Sequence, residues 1–287
     1  MRAAAKSLAS VSDTPRLDAE LLMAEAVEVS RSALLLDHRD APAPSAFAAL
    51  LARRLRHEPV AHIVGRQAFY DLELIVTPDV LIPRGDSETL IAAARAALAA
   101  PPARVLDLGT GSGALLLAAL SLWPAALGVG TDRSLAALSV AAANAASLGF
   151  ANRARLIRRD WGAPGWRDDL GRFDLILANP PYVEDGAPLA PQVRRFEPAG
   201  ALFAGPDGLD AYRVLVPQLS ALLAPDGVAV VEIGATQAEA VTRIASQARL
   251  VATLHRDLGA RPRALSLKKT LGKSVDRAYL EAKPSAG

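Results

Sequence analysis

Two short segments carry the residue types best suited to chemistry. The first is Asn179-Pro180-Pro181-Tyr182. Its prolines fix φ and remove two backbone donors, which makes a stiff loop that presents carbonyl acceptors. Asn179 adds a side-chain acceptor and Tyr182 a flat ring. Such a loop suits a planar NH2 group. An amide or aromatic NH2 is a poor nucleophile because its lone pair is delocalised. The Asn179 side-chain oxygen and the Pro180 carbonyl can hold both of its N–H bonds. That aims the lone pair and favours a pyramidal nitrogen, by positioning and preorganised polarity rather than by a general base.

The second segment runs Val105-Leu106-Asp107-Leu108-Gly109-Thr110-Gly111-Ser112-Gly113. It leaves a strand and enters a helix, and its glycines let the backbone turn tightly and approach a ligand. A dinucleotide fingerprint needs G-x-G-x-x-G, whereas the spacing here is G-x-G-x-G. Asp107, two residues before the turn, would repel a pyrophosphate but suits the ammonium of a methionine moiety. Asp132 ends the next strand, about twenty residues on, where an acidic side chain bonds ribose hydroxyls; its plain alternative is to cap the following helix, a role Ser134 can also fill. Asp160 and Trp161 follow the third strand and could meet an adenine edge or face. Packing explains Trp161 about as well. The Asn179–Tyr182 segment follows a buried strand, Phe173 to Ala178, which places it beside the glycine turn.

These segments need a sheet with helices on both sides. Strands are expected at 104–108, 127–131, 154–158, 173–178 and 227–233, with helices at 113–123, 134–148, 209–223 and 236–247. Residues 249–256 and 262–268 could close the sheet as a hairpin. Strands alternating with helices imply a doubly wound, Rossmann-like α/β sheet. Ahead of it, residues 1–65 show helical spacing and no strand pattern. Thr14-Pro15 is a start signal there, and Ser45 is expected to cap a second amphipathic helix. Residues 66–82 alternate as a short hairpin linker through Phe69, Leu72, Leu74 and Val76, with Asp71 at its turn. Asp86 or Ser87 is expected to cap a helix reaching about Ala99. The expected division is a helical domain over 1–65, the linker over 66–82, a catalytic domain over 83–268 and a basic tail over 269–287.

Composition excludes several classes. The 287 residues include no cysteine, which removes disulfides and thiolate chemistry. His38, His57, His62 and His255 lack the spacing of a zinc site, so no metal is expected. Net charge is +2 with no long basic block, which does not argue for nucleic acid. No stretch is apolar for long enough to span a membrane, and no secretory leader is visible. The expectation is a cytoplasmic, monomeric protein.

With these residues in place, the chain resembles the release-factor glutamine methyltransferase family (HemK/PrmC), among the class I S-adenosylmethionine methyltransferases with an Asn-Pro-Pro-Tyr motif. The resemblance runs from about residue 16 to 268. It rests on Asp18-Ala-Glu-Leu-Leu22, Glu58-Pro-Val-Ala-His-Ile-Val-Gly65, Leu81-Ile-Pro-Arg84, Asp107 to Gly113, Asn179 to Tyr182, Phe196-Glu-Pro198, Asp207-Gly-Leu-Asp210 and Val231-Glu-Ile-Gly234. It implies S-adenosylmethionine as cofactor, held by Asp107, Gly109, Thr110, Gly111, Ser112, Gly113, Asp132, Asp160, Trp161 and Asn179. It implies catalysis at Asn179, Pro180 and Tyr182, with Pro181 completing the grip on the glutamine amide. The implied partner is the Gly-Gly-Gln loop of class 1 release factors, gripped in part by the helical domain. The alternative keeps the reaction and changes the acceptor to a ribosomal-protein glutamine or a nucleic-acid base. Two departures stand out: Gly85 replaces a usual Pro, and His62 a usual Tyr. Among the remaining charged residues, Glu197 and Asp207 are expected on a substrate-facing loop over 183–208. Arg84 is expected in a structural role, and Glu232 is expected to hold neighbouring backbone.

Overall fold

The computed structural model describes residues 1–38 and 42–270. The chain begins with five helices: α1 Arg2–Leu8, α2 Pro15–Ala26, α3 Arg31–Asp37, α4 Ser45–Leu55 and α5 Val60–Val64. They share a core of Leu8, Leu22, Met23, Leu34, Phe47 and Ile63. Thr14 does sit at the start of α2, but its hydroxyl donates to Asp18 Oδ1 at 3.2 Å and caps no backbone amide. Pro44, not Ser45, occupies the cap of α4. The side chain that ties this region together is Arg54. It is 3 % exposed and donates to Asp18 Oδ2 at 2.7 Å, to the Val11 carbonyl at 3.0 Å and to Gln192 Oε1 at 2.9 Å. Gln192 lies far along the chain, so Arg54 also ties the helices to the segment that follows the Asn179 loop. His62, which replaces the usual Tyr, is buried with no hydrogen-bond partner on either ring nitrogen. Burial pushes its pKa down, so the ring is neutral.

A hairpin follows, β1 Arg66–Phe69 and β2 Leu72–Ile75, antiparallel and closed by Tyr70 and Asp71. Its second strand alternates buried and exposed residues, the pattern of a ribbon with one face packed. A 3-10 turn over Gly85–Ser87 then leads into α6 Glu88–Ala97. Ser87 makes no cap bond with the backbone.

The rest of the chain alternates as expected: β3 Arg104–Leu108, α7 Ala114–Leu122, β4 Leu127–Asp132, α8 Leu135–Ser147, β5 Ala154–Arg158, β6 Phe173–Ala178, α9 Pro191–Phe196, α10 Asp210–Leu222, β7 Leu223–Glu232, α11 Ala238–Gln247, β8 Leu250–Arg256 and β9 Pro262–Lys269. The seven-stranded sheet has the order β5-β4-β3-β6-β7-β9-β8. The strands from β5 to β7 are parallel, and β9 and β8 are antiparallel. The fold is therefore the expected doubly wound α/β sheet, preceded by a helical segment, with the C-terminal hairpin completing the sheet. Helix α7 is apolar on every side and buried along most of its length, as a helix wedged between sheet and neighbours must be. Full burial of each Leu contributes about 1.5–3 kcal/mol. Ser134 caps α8 by accepting from the Ala137 amide at 3.1 Å. Inside α8, the fully buried Asn144 bonds both the amide and the carbonyl of Ile75 and the carbonyl of Ser112. One side chain thereby fastens the hairpin to the glycine turn.

The segment over 183–208 contains α9 and a 3-10 turn at Ala199–Ala201. Of the basic tail, Lys269 ends β9 and Thr270 follows it; residues 271–287 lie outside the described residues. Among the described residues, no helix is long and apolar enough to cross a membrane.

Candidate active site

Strand β3 ends at Leu108 and β6 at Ala178, and these two residues are register partners. The glycine turn and Asn179 therefore leave the sheet side by side. This is where strand order reverses, β3 leading outward to β5 and β6 outward to β7. Ligand crevices of doubly wound sheets lie at this point.

The turn adopts the geometry its glycines permit. Gly109, Gly111 and Gly113 have φ of 75°, 54° and 85°, a region that disfavours side chains with a Cβ. The Gly109 and Thr110 amides donate to the Thr131 carbonyl at 2.8 and 2.9 Å. The Gly111 amide donates to Asp132 Oδ2 at 3.0 Å, and Asp132 Oδ1 accepts from the Ser134 amide at 2.9 Å. Asp132 thus braces the turn and the start of α8.

A cavity of about 560 Å3 opens beside the turn, within the usual range for small-molecule sites. Asp107, Gly109, Thr110, Gly111, Ser112, Asp132, Asp160, Trp161, Asn179 and Pro181 line it. Trp161 both packs and lines: a Cβ on Gly109 would lie 3.2 Å from its Cζ2, so the indole rests on the turn. Asp160 Oδ1 accepts from the Gly162 amide at 2.9 Å. Three expected site residues do not line the cavity. Gly113 begins α7, with Leu117 and Ala141 against it. Pro180 is buried, and Tyr182 turns its hydroxyl towards Glu232.

Asp107 is strongly perturbed. It is 1 % exposed. Its Oδ2 accepts from Thr110 Oγ1 at 2.7 Å, and its Oδ1 has no partner. Burial pushes its pKa up to about 7, against the pull of the Thr110 bond. A buried carboxylate with one oxygen left over lacks a donor, and a cationic ligand group supplies one.

Behind the Asn179 loop lies a network that sequence reasoning missed. Asn179 Nδ2 donates to Ser87 Oγ at 3.3 Å, and Ser87 Oγ donates to Glu232 Oε2 at 2.5 Å. Tyr182 donates to Glu232 Oε1 at 3.2 Å, and Tyr212 donates to the Glu232 carbonyl at 2.9 Å. Burial and the nearby Glu232 push the Tyr182 pKa up to about 12, so its hydroxyl stays a donor. Glu232 holds side chains, which corrects the expectation that it steadies backbone.

Glu197 is also corrected. It does not face a substrate: it is 8 % exposed, accepts from Arg84 at 2.8 Å and takes the Ile82 amide at 3.2 Å. A buried carboxylate needs such partners; Arg84 itself also lines the cavity. Asp207 is exposed and pairs with Arg213.

Comparison with known proteins agrees with this geometry. Residues 1–65 match the PrmC N-terminal domain, and residues 101–278 match a methyltransferase domain. The release factor glutamine methyltransferase of Rhodospirillum rubrum is 41 % identical over 280 residues, covering 96 % of this chain and 85 % of the relative. That of Cereibacter sphaeroides is 44 % identical over 275 residues, covering 93 % and 96 %. Among solved structures, a methyltransferase from Pyrococcus furiosus aligns with a TM-score of 0.54 at 16 % identity, over 78 % of this chain and all of that one. A ribosomal protein L11 methylase from Lactobacillus delbrueckii aligns at 0.50 and 22 %, over 71 % and 90 %. These two likenesses speak to the fold. With identity above 40 % over most of both chains, and both domain matches in sequence order, the chain belongs to the release factor glutamine methyltransferase family.

Proposed function

We propose that this protein transfers a methyl group from S-adenosylmethionine to the side-chain amide nitrogen of the glutamine in the Gly-Gly-Gln loop of class 1 release factors. The observation that carries the reading is the Leu108–Ala178 register pair. It brings a glycine turn with an orphaned carboxylate and a stiff Asn-Pro-Pro-Tyr loop to one cavity. The residues present fit the cofactor. The free Asp107 Oδ1 suits its ammonium, Asp132 its ribose, and Asp160 and Trp161 its adenine. When bound there, the cofactor supplies an electrophilic methyl on a sulfonium.

The chain's own residues do the positioning. Asn179 Oδ1 and the Pro180 carbonyl accept the two N–H bonds of the glutamine amide, and Pro181 and Tyr182 stiffen and shape the slot. Holding both protons turns the nitrogen lone pair towards the methyl. The nitrogen loses one proton to solvent as its new bond forms, so no general base is required. Residues 83–268 carry this chemistry, and residues 1–65 grip the release factor. The chain acts as a monomer in the cytoplasm, where its acceptor works.

The test is mass spectrometry of a release factor incubated with the protein and S-adenosylmethionine, beside a substrate whose Gly-Gly-Gln glutamine is changed to alanine. One methyl on that glutamine, absent from the control, is expected. Tight cofactor binding with no transfer to the release factor would move the acceptor elsewhere, to a ribosomal-protein glutamine or a base.

A further inference from the structure

The proposed chemistry needs the oxygen of the Asn179 side chain, not its nitrogen, at the acceptor. The two ends of a carboxamide are nearly equal in size, so its hydrogen bonds must choose the orientation. Ser87 makes that choice. Its Oγ lies 2.5 Å from Glu232 Oε2 and 3.3 Å from Asn179 Nδ2. A hydroxyl has one proton. An ionised Glu232 can only accept, so the Ser87 proton goes to it. The remaining lone pairs of Ser87 then take an N–H of Asn179. A flipped amide would set Oδ1 against a hydroxyl with no proton to give. Ser87 and Glu232 are 5 % and 2 % exposed, so bulk water does not substitute for the bond between them.

We propose that Ser87 and Glu232 are positioning residues, a relay in which Glu232 takes the Ser87 proton and Ser87 thereby turns Asn179 Oδ1 towards the substrate amide. The proposal rests on the reading of Asn179 as an amide acceptor. The relay also explains why Ser87 leaves the cap of α6 unmade: its hydroxyl is already committed.

The relay is sensitive to proton concentration. Facing Glu232 are Ser87 and Asp86 from the turn before α6, Tyr182 from the loop after β6, Tyr212 from α10 and Arg263 from β9. Arg263 is shared with Asp86 at 2.9 Å and Asp257 at 3.3 Å. Arg261 bonds the same two carboxylates. Burial outweighs these contacts and holds the Glu232 pKa above its usual value. Once protonated, Glu232 donates to Ser87, and the Ser87 proton is released to Asn179 Oδ1. The amide then flips and the acceptor is lost.

The experiment uses the full chain, labelled with 15N at asparagine, together with steady-state kinetics of S87A, S87T and E232Q. The Asn179 side-chain NH2 signals are identified by their loss in N179A. They are expected to shift in S87A and to titrate on acidification in the wild type but not in E232Q. In kinetics, S87A lowers kcat about a hundredfold, the scale of a misplaced reacting group. Cofactor affinity stays within about twofold, and S87T recovers most of the loss. A wild-type kcat in S87A, or Asn179 signals indifferent to Ser87, would overturn the relay. The resonance measurement needs no acceptor. A wild type that fails to methylate the release factor while its Asn179 signals follow Ser87 therefore removes the acceptor reading and supports the relay.

Discussion

Gln237 donates from one nitrogen to the Tyr182 carbonyl at 3.0 Å and to the Gly208 carbonyl at 3.1 Å. Its Oε1 accepts from the Gly234 amide at 3.0 Å. One side chain at the start of α11 thus clamps the far end of the Asn179–Tyr182 loop to the segment before α10. Ser87 holds the near end.

Gln237→Ala should release that clamp. The buried Gly208 carbonyl and the half-buried Tyr182 carbonyl lose a donor, which costs on the order of 1–3 kcal/mol for a buried group left unsatisfied. The expected outcome is a lower Tm and a kcat reduced further than KM is raised. Thermal melts beside initial-rate kinetics measure both, and an unchanged kcat would show that the loop keeps its shape without Gln237.

Gly208→Ala tests the same contact sterically. Gly208 has φ of 68°, and an added Cβ would run into the Tyr182 carbonyl oxygen and lie 2.8 Å from Gln237 Nε2. Backbone, unlike a flexible side-chain end, cannot step aside. The loop must move, so transfer falls by about a hundredfold while cofactor affinity, measured by calorimetry, holds.

Asp107→Asn separates stability from binding. The folded pKa of Asp107 lies near 7, above the ordinary 3.8. The native state therefore binds this proton more tightly than the unfolded chain. Its contribution is fully present below about pH 4 and is lost as pH rises towards 7, at about 1.4 kcal/mol per pH unit. Without cofactor, D107N should be more stable than the wild type at pH 8 by a few kcal/mol, with the difference gone at pH 4. Cofactor binding should run the other way: wild-type affinity rises through pH 7 as the carboxylate ionises, and D107N binds more weakly at pH 8. Denaturant unfolding at the two pH values and calorimetry check both limbs. Equal stability at pH 8 would mean that the carboxylate is not desolvated.

Arg54→Met should be severe, although it replaces one bulky side chain by another. It strands Asp18 as an uncompensated buried charge, at a cost of about 3–5 kcal/mol. Adding Asp18→Asn should recover part of that loss, because the two residues share one interaction. Denaturant midpoints of the single and double variants give the answer; strictly additive losses would dissociate the pair.

Several of these residues were hidden in the sequence for a common reason. The glycine turn announced itself because its backbone needs residues without Cβ atoms, and the strands beside it because an apolar run followed by Asn-Pro-Pro has few other readings. Ser87 stood just before a helix, where the local rule makes serine a cap. Its actual partner, Glu232, lies 145 residues away. Glu197 stood in a long connection and read as substrate-facing, yet its partner Arg84 is 113 residues distant. Pairings of that separation leave no periodic trace. Helices α1, α3 and α5 escaped because each is too short for helical spacing to declare itself.

The order of the last two strands bears on synthesis. Strand β8 leaves the ribosome before β9, yet among the described residues it pairs only with β9, which joins it to β7. β8 must therefore wait, unpaired, for a strand not yet made. Arg263 arrives on that same strand and reaches both Asp86 and Asp257. A charge partner of Asp86, the neighbour of Ser87, thus arrives with one of the last strands made, and a nascent chain stopped at the β8–β9 turn would lack it.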